Sequence, residues 1–308
     1  MMPTLGFVLL VNPHSPLSQT ERLIRTLNRM FDFPPIACHH DFGKSQEFIQ
    51  NLPDNVKVVR PHVNTRWADF SCIEAAVKAL RLLYSGEKTP DWFIYLSGAD
   101  YPIKPAATIL SDLAASPYDA HIEHLAVDKL TPTPSNPFHP EGYKGPHWLR
   151  YCHKLFCSRR LRVPWISRHL RLTSRAYWLE HPFFTTGQLP FSDTLRCFAG
   201  EAWFCANRKS AQAILGFYDT DTKLAPHYRK VLVPEESYFH TVLANAPGLK
   251  LSQDHLRYID WTHGGSSPKI LTSNDLPRMM ATTAHFARKF APAADPFILD
   301  RIDEVLGS

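Results

Sequence analysis

Apolar residues in the first 125 positions follow two alternating patterns. Short runs of strand-forming residues, beginning with "LGFVLLV", predict buried β-strands. Between them, apolar residues recur every three or four positions, which predicts helices packed against a sheet. The predicted strands lie at 5–11, 35–41, 56–59, 91–103 and 119–125, and the predicted helices at 18–31, 67–84 and 105–115. This βαβ series predicts an α/β fold with a mostly parallel central sheet and helices on both faces.

The pattern is lost between about 128 and 195, where the chain is first rich in Pro and then rich in Arg and aromatic residues. We interpret this stretch as an insertion-like loop region that is either a solvated basic surface or a ligand-binding one. Regular structure is predicted again after it. It comprises a strand before residue 208, a helix from Ser210, a helix beginning near Pro234, a last strand at 256–261 and a helix across 273–290.

Composition and charge favour some classes of protein and argue against others. The chain has 308 residues, of which 44% are hydrophobic and 20% charged, enough apolar material for a packed core. The net charge of +5 suits an anionic small ligand or an anionic membrane surface. Nucleic-acid binders show a basic stripe with interleaved aromatics, which only residues 152–175 approach. No apolar run reaches the length of a membrane span, and the first residues lack the basic region of a secretory signal.

The cysteines are scattered and form no C-x-x-C pair or completed zinc motif. We therefore expect reduced, mostly buried thiols and a cytoplasmic protein. The six positions are Cys38, Cys72, Cys152, Cys157, Cys197 and Cys205.

Common catalytic motifs are missing from the sequence, among them G-x-G-x-x-G, the P-loop, H-E-x-x-H and the nucleophile elbow. A D-x-D does occur, at Asp219 and Asp221, and in sugar transferases such a pair holds a divalent cation. It should then close an apolar strand, whereas here it follows a predicted helix. A metal-dependent transferase that uses these two residues stays open as an alternative.

Three other polar segments carry candidate chemistry. Asp100 follows an apolar strand, at the edge where ligands bind α/β sheets, although a turn acid gives the same pattern. Glu235 and Glu236 stand in the first turn of a predicted helix, either favouring its dipole or supplying a rigid general base. Arg288 and Lys289 end another predicted helix, where they either favour its dipole or neutralise a diphosphate. Local sequence leaves each pair of alternatives open.

Taken in order, eight segments of the chain resemble glycosyltransferase family 14, which holds the core-2/I-branching N-acetylglucosaminyltransferases and the peptide O-xylosyltransferases. They are "FVLLV", "CHHD", "RWADFSCIEAAVKAL", "FIYLSGADYPI", "GEAWFCANRKSAQAI", "VPEESYFHTVL", "YIDW…GGSSPKILTSNDL" and "FARKF". The xylosyltransferase branch is the nearer one. The resemblance implies a GT-A-like fold and an inverting, metal-independent transfer of xylose or N-acetylglucosamine from a UDP-sugar to a glycan hydroxyl.

The same resemblance implies roles for individual residues. Glu236 matches the catalytic base that deprotonates the acceptor, and Arg288 and Lys289 fall on the diphosphate clamp. Branching enzymes have an arginine before their last helix, where this chain has Ser266 and Ser267, so a hydroxyl or backbone amide is expected there. The remaining donor-site matches are His39, Asp41, Trp67, Ser71 and Asp100, and the acceptor-site matches are Glu201 and Trp203.

The resemblance also implies an organisation and a setting. A single GT-A-like domain would fill residues 1–308, with a nucleotide-sugar-binding half in 1–125, an irregular acceptor region in 126–195 and a catalytic, diphosphate-binding half in 196–308. The family's secretory stem, anchor and disulfides have no counterpart in the sequence, which predicts a bacterial cytoplasmic enzyme.

Its expected partners are a UDP-sugar donor and a glycan or lipid-linked saccharide acceptor, with no metal cofactor and no nucleic acid. Arginines and Trp165 in 159–168 would touch the inner face of the membrane peripherally. Two further alternatives stay open: a non-catalytic carbohydrate- or nucleotide-binding protein, and, more weakly supported, a nucleic-acid binder that uses 159–175.

Overall fold

The central sheet has seven strands in the part of the chain that the computed structural model describes, residues 2–12, 16–87, 89–127, 151, 189–231, 233–262 and 267–307. Across the sheet they lie in the order β10 (Leu251–Ser252), β6 (Ala120–His121), β9 (Cys205–Asn207), β4 (Trp92–Ser97), β1 (Leu5–Val11), β2 (Ile36–His40) and β3 (Val56–Val58). Among these strands β9 alone runs antiparallel to its neighbours. The predicted mostly parallel sheet is confirmed.

The two central strands, β1 and β4, are apolar along nearly their whole length because both faces of the sheet are covered. They pair in parallel register, with Leu9 opposite Leu96. Successive residues point to opposite faces, so that Phe7 and Leu9 enter one hydrophobic core while Val8 enters the other.

Helices cover both faces of this sheet, as the sequence predicts. One core contains side chains of α2 (Ser71–Leu83), α4 (Arg208–Thr220), α5 (Leu224–Tyr228) and α6 (Tyr238–Asn245). The other contains side chains of α1 (Leu17–Phe31), α3 (Ala106–Ala115), α7 (Leu276–Met280) and α8 (Ile298–Leu306). No helix of the described residues has the length and apolar character needed to cross a bilayer.

A second sheet corrects the prediction of one helix across 273–290. It contains β11 (Arg257–Ile259), β12 (Phe286–Arg288) and β5 (Asp100–Pro102), in that order. A 3₁₀ turn (Ser273–Asp275) and the short helix α7 precede β12, which pairs with strands on both sides. These long-range backbone pairs override the weak local helical pattern. The 256–261 strand is therefore not the last one either.

Helix starts also differ from the sequence pattern. The helix predicted over 18–31 begins one residue earlier, at Leu17, and Pro16 precedes it without a side-chain cap. The Gln19 amide donates instead to the Pro16 carbonyl at 3.2 Å, so one amide of the first turn has a backbone partner. The helix predicted from Trp67 begins four residues later. A small third sheet joins β7 (Leu125–Ala126) to β8 (Phe198–Ala199).

Candidate active site

Polar side chains from both halves of the chain meet where the parallel strands end. Asp41 directly follows β2, and Asp100 follows the turn after β4. Glu201 comes two residues after β8, Glu236 ends the 3₁₀ turn Pro234–Glu236, and Arg288 is the last residue of β12. Carboxyl ends of strands are the usual ligand sites of α/β sheets, so this edge is the candidate active site.

Asp100 is fully buried at this edge. Its Oδ2 accepts hydrogen bonds from the Ser97 amide at 2.8 Å and the Ser97 hydroxyl at 2.5 Å. Its Oδ1 lies 3.6 Å from Arg288 Nε and 4.0 Å from Arg257 Nε. Asp100 thus orders the turn between β4 and β5 and neutralises part of the charge of two arginines.

Arg257 is the buried member of this charge cluster. Its guanidinium donates to the main-chain carbonyls of Tyr95 at 3.1 Å and Leu256 at 3.3 Å, and its Cζ lies 5.0 Å from the centre of the Phe286 ring. Burial lowers the pKa of Arg257, and the charge of Asp100 opposes that shift. Within this cluster of two arginines and one carboxylate the formal charge is +1.

Arg288 links the predicted donor and acceptor contacts. Its Cζ lies 4.5 Å from the centre of the Trp203 ring, a cation–π contact. Trp203 also contacts Tyr95, with ring centres 4.9 Å apart. The predicted acceptor residue Trp203 is therefore a direct neighbour of the predicted clamp residue Arg288.

Lys289 points to the loop that carries the predicted serines. Its Nζ lies 3.5 Å from the Ser267 hydroxyl, and its carbonyl accepts a hydrogen bond from the Leu271 amide at 2.9 Å. Partial burial and the neighbouring Arg288 lower the pKa of Lys289. Ser266 lies outside the described residues.

Three glutamates gather beside these cations. Glu201 is 4% exposed, and its Oε1 accepts a hydrogen bond from Trp261 Nε1 at 2.8 Å. Burial, followed by the charges of Glu236 and Glu123, raises the pKa of Glu201 to about 8, although Arg288 and Trp261 act against the shift. Burial also raises the pKa of Glu123, whose Oε2 accepts from the Glu201 amide at 3.0 Å. Near neutral pH the Glu201 side chain is therefore mostly a neutral acid, which can donate a hydrogen bond.

Glu236 is held by contacts from three parts of the chain. Its Oε2 accepts a hydrogen bond from the hydroxyl of the buried Tyr151 at 3.0 Å, and its carbonyl accepts from the Gly200 amide at 2.9 Å. The turn is entered through Val233 at φ 54°, whose amide donates to the carbonyl of Ala68 at φ 58°. Left-handed backbone at non-glycine residues costs energy and clusters at functional sites.

His39 and Asp41 secure the loop between β3 and α2. Asp41 Oδ2 accepts from the Thr65 amide at 2.7 Å, and its Oδ1 accepts from the Gly43 amide at 3.0 Å. Burial raises the pKa of Asp41, but these bonds outweigh it and hold that pKa below its usual value. His39 Nε2 accepts from the Val63 amide at 2.9 Å, and burial lowers the pKa of His39 to about 4. Both side chains thus shape the loop.

The other two predicted donor residues stand where this loop meets α2. Ser71 is buried, accepts from the Arg66 amide at 2.9 Å and donates to Asp69 Oδ1 at 2.7 Å. Trp67 is 69% exposed, unusual for so large an apolar ring. A flat ligand ring can stack on it.

The D-x-D motif has a structural role at another place. The exposed Asp219 forms an ion pair with Arg81, while Asp221 accepts hydrogen bonds from three backbone amides at the start of α5, those of Lys223, Leu224 and Ala225. Arg81 is ten residues after Ser71, about 15 Å along α2. Within the described ranges, no group of three or more His, Cys, Asp or Glu side chains is placed to hold a metal ion.

Comparison with known proteins gives the family of the chain. The model of the core-2/I-branching enzyme family matches residues 7–131 and 156–282, most of the chain. The chain belongs to the core-2/I-branching enzyme family. Its seven-stranded, mostly parallel sheet with helices on both faces is the GT-A-like fold of that family.

The relatives that this chain matches are named as beta-glucuronosyltransferases or as xylosyltransferases. The beta-glucuronosyltransferase GlcAT14A of Arabidopsis thaliana is 29% identical over 221 residues, which are 70% of this chain and 42% of that protein. Xylosyltransferase 1 of Rattus norvegicus is 25% identical over 278 residues, 82% of this chain and 29% of that protein. Xylosyltransferase 1 of Homo sapiens is 24% identical over 277 residues, with 82% and 25% covered. The chain thus spans less than half the length of these relatives.

Four residues of this branching-family site were not predicted from the sequence as site residues. Trp261 and Arg257 lie in "LRYIDW", where an arginine inside an apolar run was a usable signal of a buried charge. Glu123 lies in "DAHIEHL", where nothing separated it from a solvent-facing strand residue. Tyr151 stands in the irregular region, where periodicity carries no signal. The predictions for 128–195 fall mostly outside the described residues, including the membrane contact at 159–168.

Proposed function

We propose that this chain is a glycosyltransferase that moves a sugar from a UDP-sugar donor to a hydroxyl of a glycan or lipid-linked saccharide. The observation that carries the proposal is the meeting of Glu236, Glu201, Trp203 and Arg288 at the carboxyl ends of the strands. A carboxylate can take the acceptor proton, and a fixed cation can stabilise the charge of the leaving group. Membership of the branching-enzyme family supports the same activity.

Glu236 is the general base in this proposal. Its carboxylate takes the proton of the acceptor hydroxyl while that oxygen forms a bond to the anomeric carbon of the donor. The bond from the anomeric carbon to the diphosphate breaks, and its electron pair leaves with UDP. Because the acceptor attacks from the face opposite UDP, the configuration inverts and a β-linkage forms.

Arg288 and Lys289 stabilise the charge that grows on the departing diphosphate. Fixed cations aimed at a developing anion need no rearrangement during the reaction. The buried Asp100, which Arg257 also faces, holds the Arg288 guanidinium in place. Lys289 and Ser267 bind the diphosphate together. With these groups the transfer proceeds without a metal cofactor.

Glu201, Trp203 and Trp261 form the acceptor side. The protonated Glu201 donates a hydrogen bond to a sugar hydroxyl, and the half-buried Trp203 borders the acceptor beside Arg288. On the donor side Trp67 stacks on the uracil, while the loop held by His39 and Asp41 borders the uridine. Ser71 fixes the start of α2 beside it.

Xylose and N-acetylglucosamine are the donor sugars that the resemblance favours, and the name of the plant relative adds glucuronic acid to the panel. The proposed setting is the bacterial cytoplasm, with a peripheral contact to the inner face of the membrane.

The proposal is tested by UDP release. The protein is incubated with UDP-xylose, UDP-N-acetylglucosamine, UDP-glucuronic acid and UDP-glucose, each with EDTA and with manganese, with and without saccharide acceptors. We expect UDP release from at least one donor in EDTA, accelerated by an acceptor. Binding of a UDP-sugar without release under any condition would instead identify a non-catalytic binding protein.

A further inference from the structure

The catalytic carboxylate of the proposed reaction shares a hydrogen bond with a tyrosine to which the preceding argument gives no role. Tyr151 is fully buried, and its hydroxyl donates to Glu236 Oε2 at 3.0 Å. We propose that Tyr151 is the positioning residue of the general base: it holds Oε2 so that Oε1 receives the acceptor proton. This inference rests on the proposed function.

Tyr151 is itself held from its main-chain side. His227 of α5 is buried, and its Nε2 donates to the Tyr151 carbonyl at 2.5 Å. The Tyr151 ring lies in the same hydrophobic core as Tyr228 and Tyr238. The hydroxyl therefore reaches Glu236 from a support that does not depend on the 3₁₀ turn, which is the arrangement a precisely held base requires.

The hydrogen bond also acts on the charge of the base. A donor to a carboxylate favours its ionised form, whereas nearby carboxylates disfavour it. Electrostatic interactions link Glu236 to Glu123 and Glu201, Glu235 is its neighbour in the 3₁₀ turn, and Arg288 is a charge partner of Glu201. The Tyr151 hydroxyl favours the ionised form of Glu236 against these acids.

Tyr151→Phe removes the hydroxyl and leaves the ring. We expect kcat to fall about tenfold and the acid limb of the kcat profile to move up by about one pH unit, because the ionised base has lost a donor. The dissociation constant of UDP should stay unchanged. Tyr228→Phe is the matched control, because it also removes a fully buried hydroxyl, whose contacts are with Ser237 at 2.6 Å, Thr241 at 3.1 Å and the Cys197 sulfur at 3.7 Å and not with Glu236. It should leave the acid limb where it is.

Adding Tyr151→Phe to the Glu236→Gln variant distinguishes a positioning role of Tyr151 from a general loosening of the core. In Glu236→Gln no carboxylate is left to position, so adding Tyr151→Phe should not lower the residual rate further. His227→Ala, which releases the Tyr151 carbonyl, should move the acid limb of the otherwise unchanged enzyme in the same direction by a smaller amount. UDP-induced thermal stabilisation confirms that each variant is folded.

One result would contradict the role of Tyr151 alone, and a different result would contradict the proposed function. If Tyr151→Phe matches Tyr228→Phe in kcat and in its acid limb, or lowers the residual rate of Glu236→Gln, Tyr151 does not position the base although the enzyme is a transferase. If the unaltered chain releases UDP from no donor, the proposed function fails and the role of Tyr151 fails with it.

Discussion

The carboxyl group of Glu201 lies in a buried position beside two other acids, and this environment rather than the residue type determines its protonation state. The family resemblance predicts an acceptor-side role for Glu201, but it does not indicate whether the side chain accepts or donates hydrogen bonds. Burial raises its pKa to about 8, so it carries a proton through the neutral range. When Glu201 loses this proton, its carboxylate adds a negative charge beside Glu236.

Glu201→Gln tests this protonation state through acceptor binding. In the unaltered enzyme the acceptor KM should rise above about pH 8, because ionised Glu201 can no longer donate to the sugar. The glutamine keeps a donor at every pH, so its acceptor KM should stay flat. The measurement is acceptor KM from pH 6 to pH 9; parallel curves for both proteins would contradict the assignment.

Stability gives an independent check of the same residue. Between its ordinary pKa of 4.5 and about 8, Glu201 keeps its proton in the folded state and loses it in the unfolded state. The contribution of Glu201 to the free energy of unfolding therefore falls as pH rises through this window. Glu201→Gln lacks this contribution, so its urea midpoint relative to the unaltered protein should increase across the window and level off above it.

Sequence reasoning at this scale identified residue types but not their partners. Arg288 was expected at a helix end and Trp203 at the acceptor, and only the fold shows that they touch. Asp100 was expected at the donor site, yet it is buried under Arg257 and Arg288 and acts through them. Such contacts join residues more than 80 positions apart, which local patterns do not encode.

Among the elements, the parallel half of the sheet was predictable and the second sheet was not. Strands β1 and β4 can be recognised in the sequence as apolar runs, because both of their faces are covered. Strand β12 has three residues and exists because β5 and β11 flank it. Since β12 is a strand, Arg288 lies directly opposite Asp100 instead of at a helix end.

The contact between β8 and the β6–β7 connection depends on Gly200. A Cβ added there would overlap the carbonyl group of Glu123, and the Gly200 amide also binds the Glu236 carbonyl. Gly200→Ala should lower the free energy of unfolding by about 1–3 kcal/mol, because backbone must shift to admit the methyl group. It should also reduce turnover, because Glu123, Glu201 and Glu236 meet at this point.

Gly216→Ala in α4 is the control, because a Cβ there meets no atom within 4 Å. It should raise the free energy of unfolding by about 0.5–1 kcal/mol, since alanine is the better helix former. Urea denaturation measures both variants. A Gly200→Ala protein as stable and active as the unaltered one would show that the close approach is unimportant.

Across the whole molecule, residues distributed from the first third to the last tenth of the chain converge on one edge of the fold. The excess positive charge of the arginine cluster and Lys289 lies at this edge. The D-x-D acids instead lie in the region of Arg81 and α5, where one is an ion-pair partner and the other a helix cap. This distribution of charge predicts that a nucleotide diphosphate binds beside Arg288 and Lys289 and not at the D-x-D acids.

UDP should therefore stabilise the folded chain in EDTA, by about 2.7 kcal/mol at a concentration of 100 times its dissociation constant. Lys289→Ala should weaken this effect, because it removes a charge from the diphosphate, and Asp219→Asn should leave it unchanged. Thermal unfolding with increasing UDP measures all three proteins. Stabilisation that requires manganese and is lost in Asp219→Asn would move the diphosphate to the D-x-D.

The most direct test of the account is the turnover of Glu236→Gln, measured as UDP release with the best donor and acceptor beside Glu235→Gln, its neighbour in the same 3₁₀ turn. If Glu236 is the general base, Glu236→Gln should lose about 10²–10⁴-fold in kcat while binding UDP normally, and Glu235→Gln should keep most of its turnover. Normal turnover in Glu236→Gln would contradict the account.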